Sequence, residues 1–364
     1  MAAFSRKLRF FLPFAALVLI LALIPIFIWA YMYSPWGLEY WTQTRYQNTH
    51  IWRGHPVLGS VIRVGINIVE TSAGRRYEYH SSRLSTLGGI DVGIREASPL
   101  PAKPCGLLVG DSIVEGFEVS QDDVVSAVLS RKLNCRVLNL GSMGYGTTQE
   151  LELYKTVADK YRAPIVLQVV IGNDPWDNVA YAAWIQKGRA EGKDFTDYKN
   201  ALWAPSSKGE LFRAPEVFKK MRLNDIWAVG ASKFTDGNDS LYWKDVWPRI
   251  REAGNALIVR DCLRMRDLVE SKKGFYAAVV FQNPELAALL EKKGLPVLDL
   301  DPGIPGTHIG KTRIWLKWGS HFNAAGHAWA ADRIASFLSK RPELLSPRPR
   351  QPFVDRLTAS SDAR

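Results

Sequence analysis

Short apolar runs alternate with amphipathic segments between residues 105 and 338. Five runs are rich in Val, Ile and Leu, as buried strands are, and they occupy residues 106–109, 136–140, 163–171, 275–281 and 296–300. Apolar residues recur at helical spacing in residues 122–133, 147–161, 257–270, 284–293 and 323–338. Strands that alternate with helices form parallel units. The pattern therefore predicts an α/β fold with a doubly wound, five-stranded parallel sheet of the flavodoxin order 2-1-3-4-5.

The amino terminus has a different pattern, because residues 10–33 contain no charged side chain. A helix of that length spans about 36 Å, which is enough to cross a bilayer. Three cations lie within residues 1–9, and Glu39 is the first charge after the apolar segment. The positive-inside rule then predicts a cytoplasmic amino terminus and one transmembrane helix. We expect a single-pass inner-membrane protein whose remaining chain faces the periplasm.

Three further regions are predicted from composition. Residues 34–100 read as a stalk and an accessory β region, and residues 101–340 form the α/β domain with an insertion at 175–254. Residues 341–364 are rich in Pro and small polar residues, which is typical of a disordered tail. The insertion holds six of the 13 tryptophans. They either pack in a core or form a flat platform for sugar rings.

Composition narrows the classes of function. Three cysteines without a C-x-x-C motif exclude a disulfide scaffold and a Cys-based zinc module. The net charge of +11 includes no long basic run, which argues against a nucleic-acid partner. Four histidines lack the spacing of metal ligands, namely His50, His55, His80 and His308. No phosphate-binding loop is present either, and we expect no cofactor or metal.

Candidate catalytic residues follow the predicted strands, where the sites of doubly wound sheets lie. Ser112 follows the first strand, Gly144 the second and Asn173 the third, while His321 precedes the last helix. A serine becomes a nucleophile when a histidine accepts its proton. The backbone N–H groups of Ser112 and Gly144 and the Asn173 amide are candidate donors to an oxyanion. This set predicts acyl transfer.

At these residues the sequence resembles the SGNH (GDSL-type) hydrolase family. The resemblance rests on four segments, LLVGDSIVEGF (107–117), VLNLGSMGYGTTQE (137–150), IGNDPWDN (171–178) and HFNAAGH (321–327). It implies that Ser112 is the nucleophile, that His321 is the general base, and that Ser112, Gly144 and Asn173 form the oxyanion hole. It also implies a three-layer α/β/α fold and ester hydrolysis or acyl transfer, often on envelope glycans or lipids.

One position departs from the family pattern. The family usually has an aspartate two or three residues before the catalytic histidine, where this chain has Gly319 and Trp318. Either a backbone carbonyl accepts from Nδ1–H of His321, which makes a Ser–His dyad, or a distant carboxylate replaces the aspartate. We favour the dyad, because Asp299 and Asp301 read as loop or capping residues.

Other polar residues have structural interpretations. We expect Asp111 to order the turn around Ser112, Asp174 to support its loop, and His327 to have a structural role in or near the last helix. Each of these residues lies close to a predicted catalytic residue in the sequence without matching a catalytic position.

The cysteines allow one bridge. Cys105 and Cys135 each begin a strand, and the two strands are neighbours in the flavodoxin order. Adjacent strands are close enough for a disulfide, which an oxidising periplasm permits. The alternative is two buried thiols, and Cys262 remains free in either case.

Two functions follow. The first is a membrane-anchored extracytoplasmic serine esterase or O-acyltransferase that acts on an ester of an envelope glycan or lipid. The second is a non-catalytic SGNH-like protein that binds polysaccharide during envelope assembly. A hydrogen-bond distance between Ser112 and His321 together with an open pocket would favour the enzyme, and a blocked or splayed pair would favour the binding protein.

Overall fold

The computed structural model describes residues 23–24, 51–72, 75–97, 99–192, 194–196, 199, 241–305, 314–315 and 321–345. No helix within these ranges is long and apolar enough to cross a membrane. All but two residues of the segment 10–33 lie outside the described residues, as do residues 1–9, so the membrane span stays a prediction.

The accessory region consists of antiparallel strands. These are β1 (Trp52–His55), β2 (Gly59–Ile62), β3 (Asn67–Ser72), β4 (Arg75–His80), β5 (Ser82–Leu87) and β6 (Ile90–Ile94). Four of them form a sheet of order β1-β2-β6-β5, while β3 and β4 form a hairpin. Alternating buried and exposed residues along β5 fit a sheet with one face on the core.

The second sheet is parallel and has five strands. These are β7 (Gly106–Gly110), β8 (Val137–Gly141), β9 (Ile165–Val170), β10 (Phe275–Val280) and β11 (Val297–Asp299). Their order is β11-β10-β9-β7-β8, which is the predicted order 2-1-3-4-5 read from the other edge. Strands β7, β8 and β9 are buried throughout, so their continuous apolar runs reflect helices on both faces.

Helices connect and cover these strands. The described helices are α1 (Ser112–Glu115), α2 (Val125–Leu133), α3 (Thr147–Lys155), α4 (Ala158–Tyr161), α5 (Asp174–Ala183), α6 (Leu241–Ser271), α7 (Pro284–Lys292), α8 (Ala324–Ser339) and α9 (Pro342–Leu345). A π-helical turn, Trp184–Gly188, extends α5.

The helices divide between the two faces of the parallel sheet. Leu108 of β7 packs in one apolar cluster with α2 and α8, whereas Leu107 and Val109 pack in another cluster with α3, α6 and α7. Successive side chains of a strand point to opposite faces. The three-layer α/β/α arrangement implied by the family resemblance is therefore present.

The accessory sheet shares the second of these clusters. Leu58, Leu84 and Val92 are buried together with residues of the parallel sheet. The region that the sequence suggested as a stalk is thus, over its described residues, packed on the α/β domain.

The region 175–254 differs from the predicted irregular insertion. Helix α5 occupies its beginning, and α6 starts at Leu241 rather than at residue 257. Gly254 lets α6 approach α5, since a Cβ there would lie 2.3 Å from Pro175. Residues 201–240 lie outside the described residues.

The insertion tryptophans are described in part. Trp176 and Trp184 are 5% and 3% exposed, so these two pack in the core and offer no face to a sugar. Trp203 and Trp227 lie outside the described residues, as do the side chains of Trp243 and Trp247.

Two boundaries and one bridge complete the comparison with the sequence. The predicted helix 147–161 is interrupted between α3 and α4. Helix α9 lies within the predicted tail 341–364, of which residues 346–364 lie outside the described part. Cys105 and Cys135 form the predicted disulfide, and Cys262 is free and buried.

Candidate active site

Ser112 stands at the junction between β7 and α1. The Asp111 carboxylate caps this short helix by accepting from the Ile113 backbone N–H at 2.9 Å. The first N–H groups of a helix have no acceptor inside the helix. The cap therefore orders the turn, as predicted for Asp111, while Ser112 begins the helix at the carboxyl end of the strand.

His321 comes from the other end of the domain and meets Ser112. Its Nε2 lies 2.9 Å from the Ser112 hydroxyl oxygen, across 209 residues of sequence. Phe322 pairs with Trp315 in an isolated bridge, and Asn323 caps α8 by accepting from Gly326 N–H at 3.0 Å. These two anchors directly follow the histidine and hold the backbone on that side.

Asn173 lies beside the same serine. Its side-chain Nδ2 donates to Asp177 at 2.8 Å and makes a longer contact of 3.4 Å with Asp111. The Ser112 hydroxyl also reaches that oxygen of Asp111, at 3.3 Å. The amide of Asn173 is therefore close to the Ser112 hydroxyl.

Gly144 lies on the neighbouring loop with a φ of 71°, a conformation that favours glycine. Its carbonyl accepts from Lys199 Nζ at 3.0 Å. The preceding residue is held as well, because Met143 N–H donates to Glu115 at 2.6 Å. Lys199 also pairs with Asp177 at 2.6 Å. A continuous chain of contacts thus links Gly144 to Asn173 and, through Asp111, to Ser112.

Buried carboxylates surround the site and have altered acidity. Burial raises the pKa of Asp111, and the nearby Asp177 raises it further, while the Ile113 N–H opposes the shift. Burial also raises the pKa of Asp177, against the effect of Lys199. Burial raises the pKa of Glu115 to about 7, although hydrogen bonds from Tyr79 and the charge of Arg95 lower it.

Aromatic side chains pack next to His321. The Phe117 ring is 5.1 Å from the His321 ring, and Trp52 of the accessory sheet is 6.4 Å from Phe117. Trp52 Nε1 also donates to Glu115 at 3.3 Å. The accessory region therefore contributes directly to the surroundings of the candidate site.

Residues with structural interpretations mostly behave as predicted. His327 is 1% exposed, accepts from Val125 N–H at 3.2 Å, and has a pKa lowered to about 3 by burial. Asp174 accepts from Ile171 N–H at 2.7 Å and supports its loop. His55 accepts from two backbone N–H groups of the accessory region. His50 and His308 lie outside the described residues.

The orienting partner of His321 is not among these contacts. Asp299 accepts from Asp301 N–H at 2.9 Å, and Asp301 accepts from Gln282 N–H at 2.7 Å, so the first carboxylate orders its own loop and the second joins that loop to the one after β10. Trp318 and Gly319 lie outside the described residues, and the backbone acceptor of Nδ1–H stays a prediction.

Sequence reasoning missed Lys199, Asp177, Glu115 and Trp52. Asp177 stands four residues after Asn173 in the quoted motif, one helical turn away, and this spacing was a usable signal. Lys199 and Trp52 carried none, because each reaches the site from a distant segment. Within the described part of the chain, no three His, Cys, Asp or Glu side chains are arranged to hold a metal ion.

Comparisons with known proteins give only distant matches. No family model matches the sequence, and no curated protein matches it. A structure described as a lipolytic protein of the G-D-S-L family from Desulfitobacterium hafniense DCB-2 is 13% identical, with 65% of this chain and 100% of that chain covered and a TM-score of 0.35. A lipase/acylhydrolase from Enterococcus faecalis is 15% identical, with coverage of 70% and 100% and a TM-score of 0.36.

A third similar structure is a carbohydrate esterase family 2 enzyme with a carbohydrate-binding domain from Corynascus thermopiles (Myceliophthora fergusii). It is 12% identical, with 70% of each chain covered and a TM-score of 0.34. TM-scores below 0.5 do not establish a shared fold. The family resemblance therefore rests on the four sequence segments and on the geometry that joins them.

Proposed function

We propose that this protein is a serine esterase or O-acyltransferase of the SGNH type. The observation that carries the proposal is the 2.9 Å hydrogen-bond distance between the Ser112 hydroxyl and His321 Nε2. Such a pair is the signature of an activated serine nucleophile. It also favours an enzyme over the polysaccharide-binding alternative, for which this pair would have no use.

The reaction begins with proton transfer from Ser112 to His321. The Ser112 Oγ attacks the carbonyl carbon of an ester, and the carbonyl oxygen becomes an oxyanion. His321 then returns the proton to the departing alcohol, which leaves an acyl-serine. Water or a glycan hydroxyl then attacks the acyl carbon while His321 accepts its proton. The bond from this carbon to Ser112 Oγ breaks, and His321 returns the proton to Oγ, which completes hydrolysis with water or acyl transfer with the glycan.

Three donors would stabilise the oxyanion, namely the N–H groups of Ser112 and Gly144 and the amide of Asn173. Asn173 holds Asp177 firmly at 2.8 Å and Asp111 at 3.4 Å. The hydrogen of the longer contact is the one available to the oxyanion, because a bond of that length is weak and little is lost when the substrate replaces it. Each oxyanion donor contributes roughly 3 kcal/mol to the rate.

We propose further that the enzyme is anchored in the inner membrane and faces the periplasm, with an ester of an envelope glycan or lipid as substrate. The uncharged segment 10–33 and the cations before it support this orientation. The disulfide between Cys105 and Cys135 supports it independently, since disulfides persist in oxidising compartments. A periplasmic reporter fused after residue 340 should be active and a cytoplasmic one silent; the reverse pattern would contradict the orientation.

The chemistry is tested on the full chain in detergent with a fluorophosphonate probe and a short-chain p-nitrophenyl ester. The probe should label Ser112, and Ser112→Ala should abolish both labelling and hydrolysis. Ser126→Ala is a matched control, because Ser126 is a buried serine on α2 that belongs to none of the four motif segments, and both signals should persist. Labelling of another serine, or full hydrolysis by Ser112→Ala, would disprove the assignment.

A further inference from the structure

Lys199 belongs to none of the four sequence segments, yet it lies beside the candidate oxyanion hole. Its side chain is 11% exposed and its Nζ pairs with Asp177 Oδ1 at 2.6 Å, while the Asp177 side chain is 4% exposed. A second contact of the same Nζ, at 3.0 Å, is with the Gly144 carbonyl. A nearly buried lysine thus links helix α5, which carries Asp177, to the loop that carries Gly144.

The segment that carries Lys199 is anchored by aromatic packing. Phe195 is buried with Tyr181 of helix α5 and with Trp184 of the π-helical turn that extends α5. The rings of Phe195 and Trp184 are 5.3 Å apart, and Lys199 Nζ is 5.7 Å from the Phe195 ring. This packing holds the lysine backbone close to α5.

Asp177 divides its two oxygens between two partners. Oδ1 pairs with Lys199, and Oδ2 accepts from Asn173 Nδ2 at 2.8 Å. An amide nitrogen has two hydrogens in a fixed plane. When one hydrogen is held by Asp177, the direction of the other is set, and that is the hydrogen the proposed mechanism gives to the oxyanion.

Gly144 needs a comparable restraint, because glycine has more backbone freedom than any other residue. The Gly144 N–H belongs to the Met143–Gly144 peptide. The peptide before that one is held by the Met143 N–H bond to Glu115, and the peptide after it by the Lys199 bond to the Gly144 carbonyl. With both flanking peptides held, the direction of the Gly144 N–H is set as well. A Cβ at this position would lie 2.9 Å from Lys199 Nζ, so the lysine is also packed against the glycine.

We propose that Lys199 is a positioning residue of the oxyanion hole, which acts with Asp177 to orient the Asn173 amide and the Gly144 N–H as one unit. This inference rests on the proposed function and goes beyond it, because it connects the region after α5 to the chemistry at Ser112. A misplacement of about 1 Å at such donors costs about 100-fold in rate. Loss of the ion pair therefore affects turnover more than substrate binding.

The test compares Lys199→Met, Asp177→Asn and the double variant with the wild-type chain in p-nitrophenyl ester hydrolysis. Lys199→Met should lower kcat by about 10- to 100-fold and leave KM within about twofold, since the donors act on the transition state. The two single losses should not add in the double variant, because both residues act through one pair. Lys187→Met is the control, since Lys187 is 73% exposed and its ion pair with Glu191 is long, at 3.9 Å.

The double variant keeps the test valid if a single variant fails to fold. A lone buried charge is what destabilises the single variants, and the double variant removes both charges. Its thermal unfolding should match that of the wild-type chain more closely, while its kcat stays low. A kcat within about twofold of wild type in any folded variant, or a change confined to KM, would overturn the proposal.

A separate readout distinguishes this inference from the proposed function. If the wild-type chain neither hydrolyses the ester nor reacts with the fluorophosphonate, the proposed function fails. Hydrogen exchange of the peptide 141–147 then decides the positioning role without any turnover. Faster exchange at Gly144 in Lys199→Met than in Lys187→Met supports it, and equal exchange in the two variants overturns it.

Discussion

The parallel sheet is held differently at its two ends. At the amino ends of β7 and β8, a disulfide joins Cys105 to Cys135, and the Cys105 N–H donates to Arg136 O at 2.9 Å. At the carboxyl ends of the same strands, the connections run through hydrogen bonds from backbone N–H groups to buried carboxylates, from Ile113 to Asp111 and from Met143 to Glu115. One end has a covalent tie, and the other has a network of polar groups.

This difference indicates how stability and function are distributed. The pKa values of Asp111 and Glu115 are raised because burial disfavours their charged forms, so ionising them costs the folded state free energy. Groups of this kind gather where catalysis needs oriented charge. The covalent tie lies at the opposite end, where it strengthens the sheet without constraining Ser112.

The largest effect on activity is expected at the carboxyl ends of the strands, from substitution of His321. His321→Ala removes the partner of Ser112, and kcat for ester hydrolysis should fall by about 10³- to 10⁴-fold with little change in thermal unfolding. Esterase kinetics and calorimetry on the same preparation measure both. His80→Ala is the control, because His80 lies in the accessory hairpin near Glu78. Equal losses in the two variants would show that the effect is not specific to the site.

At the amino ends of the strands, removal of the disulfide should lower stability and leave activity unchanged. A bridge with a sequence separation of 30 residues stabilises the fold by about 3 to 4 kcal/mol in the loop-entropy account. Replacing both bridging cysteines by serine should lower the urea midpoint accordingly, while kcat stays unchanged where the variant is folded. Non-reducing peptide mapping should recover a 105–135 cross-linked peptide. Alkylation of all three cysteines in the unfolded, unreduced protein would contradict the bridge.

The raised pKa of Glu115 predicts that stability depends on pH through the network at the carboxyl ends of the strands. Its pKa is about 7 in the folded protein and 4.5 without burial. The folded state therefore binds the extra proton, and stability decreases as pH rises from about 4.5 to 7, by about 3 kcal/mol for this group. Glu115→Gln should remove that part of the pH dependence in urea unfolding. An unchanged slope in the variant would show that Glu115 is ionised throughout this range.

The smallest effect is expected after the fifth strand. Asp299 accepts from a backbone N–H of its own loop, and Asp301 accepts from the Gln282 N–H of the loop after β10. Asp299→Asn and Asp301→Asn should therefore leave kcat within about twofold of wild type. This result would agree with a dyad in which a carbonyl accepts from His321 Nδ1–H. A loss near 10⁴-fold in either variant would show that its carboxylate replaces the missing aspartate.

Local pattern predicted much of this fold. The alternation of short apolar runs and amphipathic segments predicted the five parallel strands, and the position of each motif after a strand predicted which loops would meet. The neighbouring strands allowed a bridge between Cys105 and Cys135 but left two buried thiols as the alternative, and the structure contains the bridge. Boundaries were less accurate where burial changed gradually, and α6 begins at Leu241 because it extends along α5.

The tertiary structure determined the contacts between distant segments, which the spacing of residues within one segment does not predict. Spacing within one segment determines which side chains share a face. The alternation of strands and helices predicted the strand order, and the motifs of the family resemblance predicted the loops that contain Ser112, Gly144, Asn173 and His321. Which distant groups then hold those residues depends on packing between segments with no common period. Trp52 reaches Glu115 across 63 residues, and Lys199 reaches Gly144 across 55. Those contacts exist only once the accessory sheet and the chain after α5 are packed against the parallel sheet.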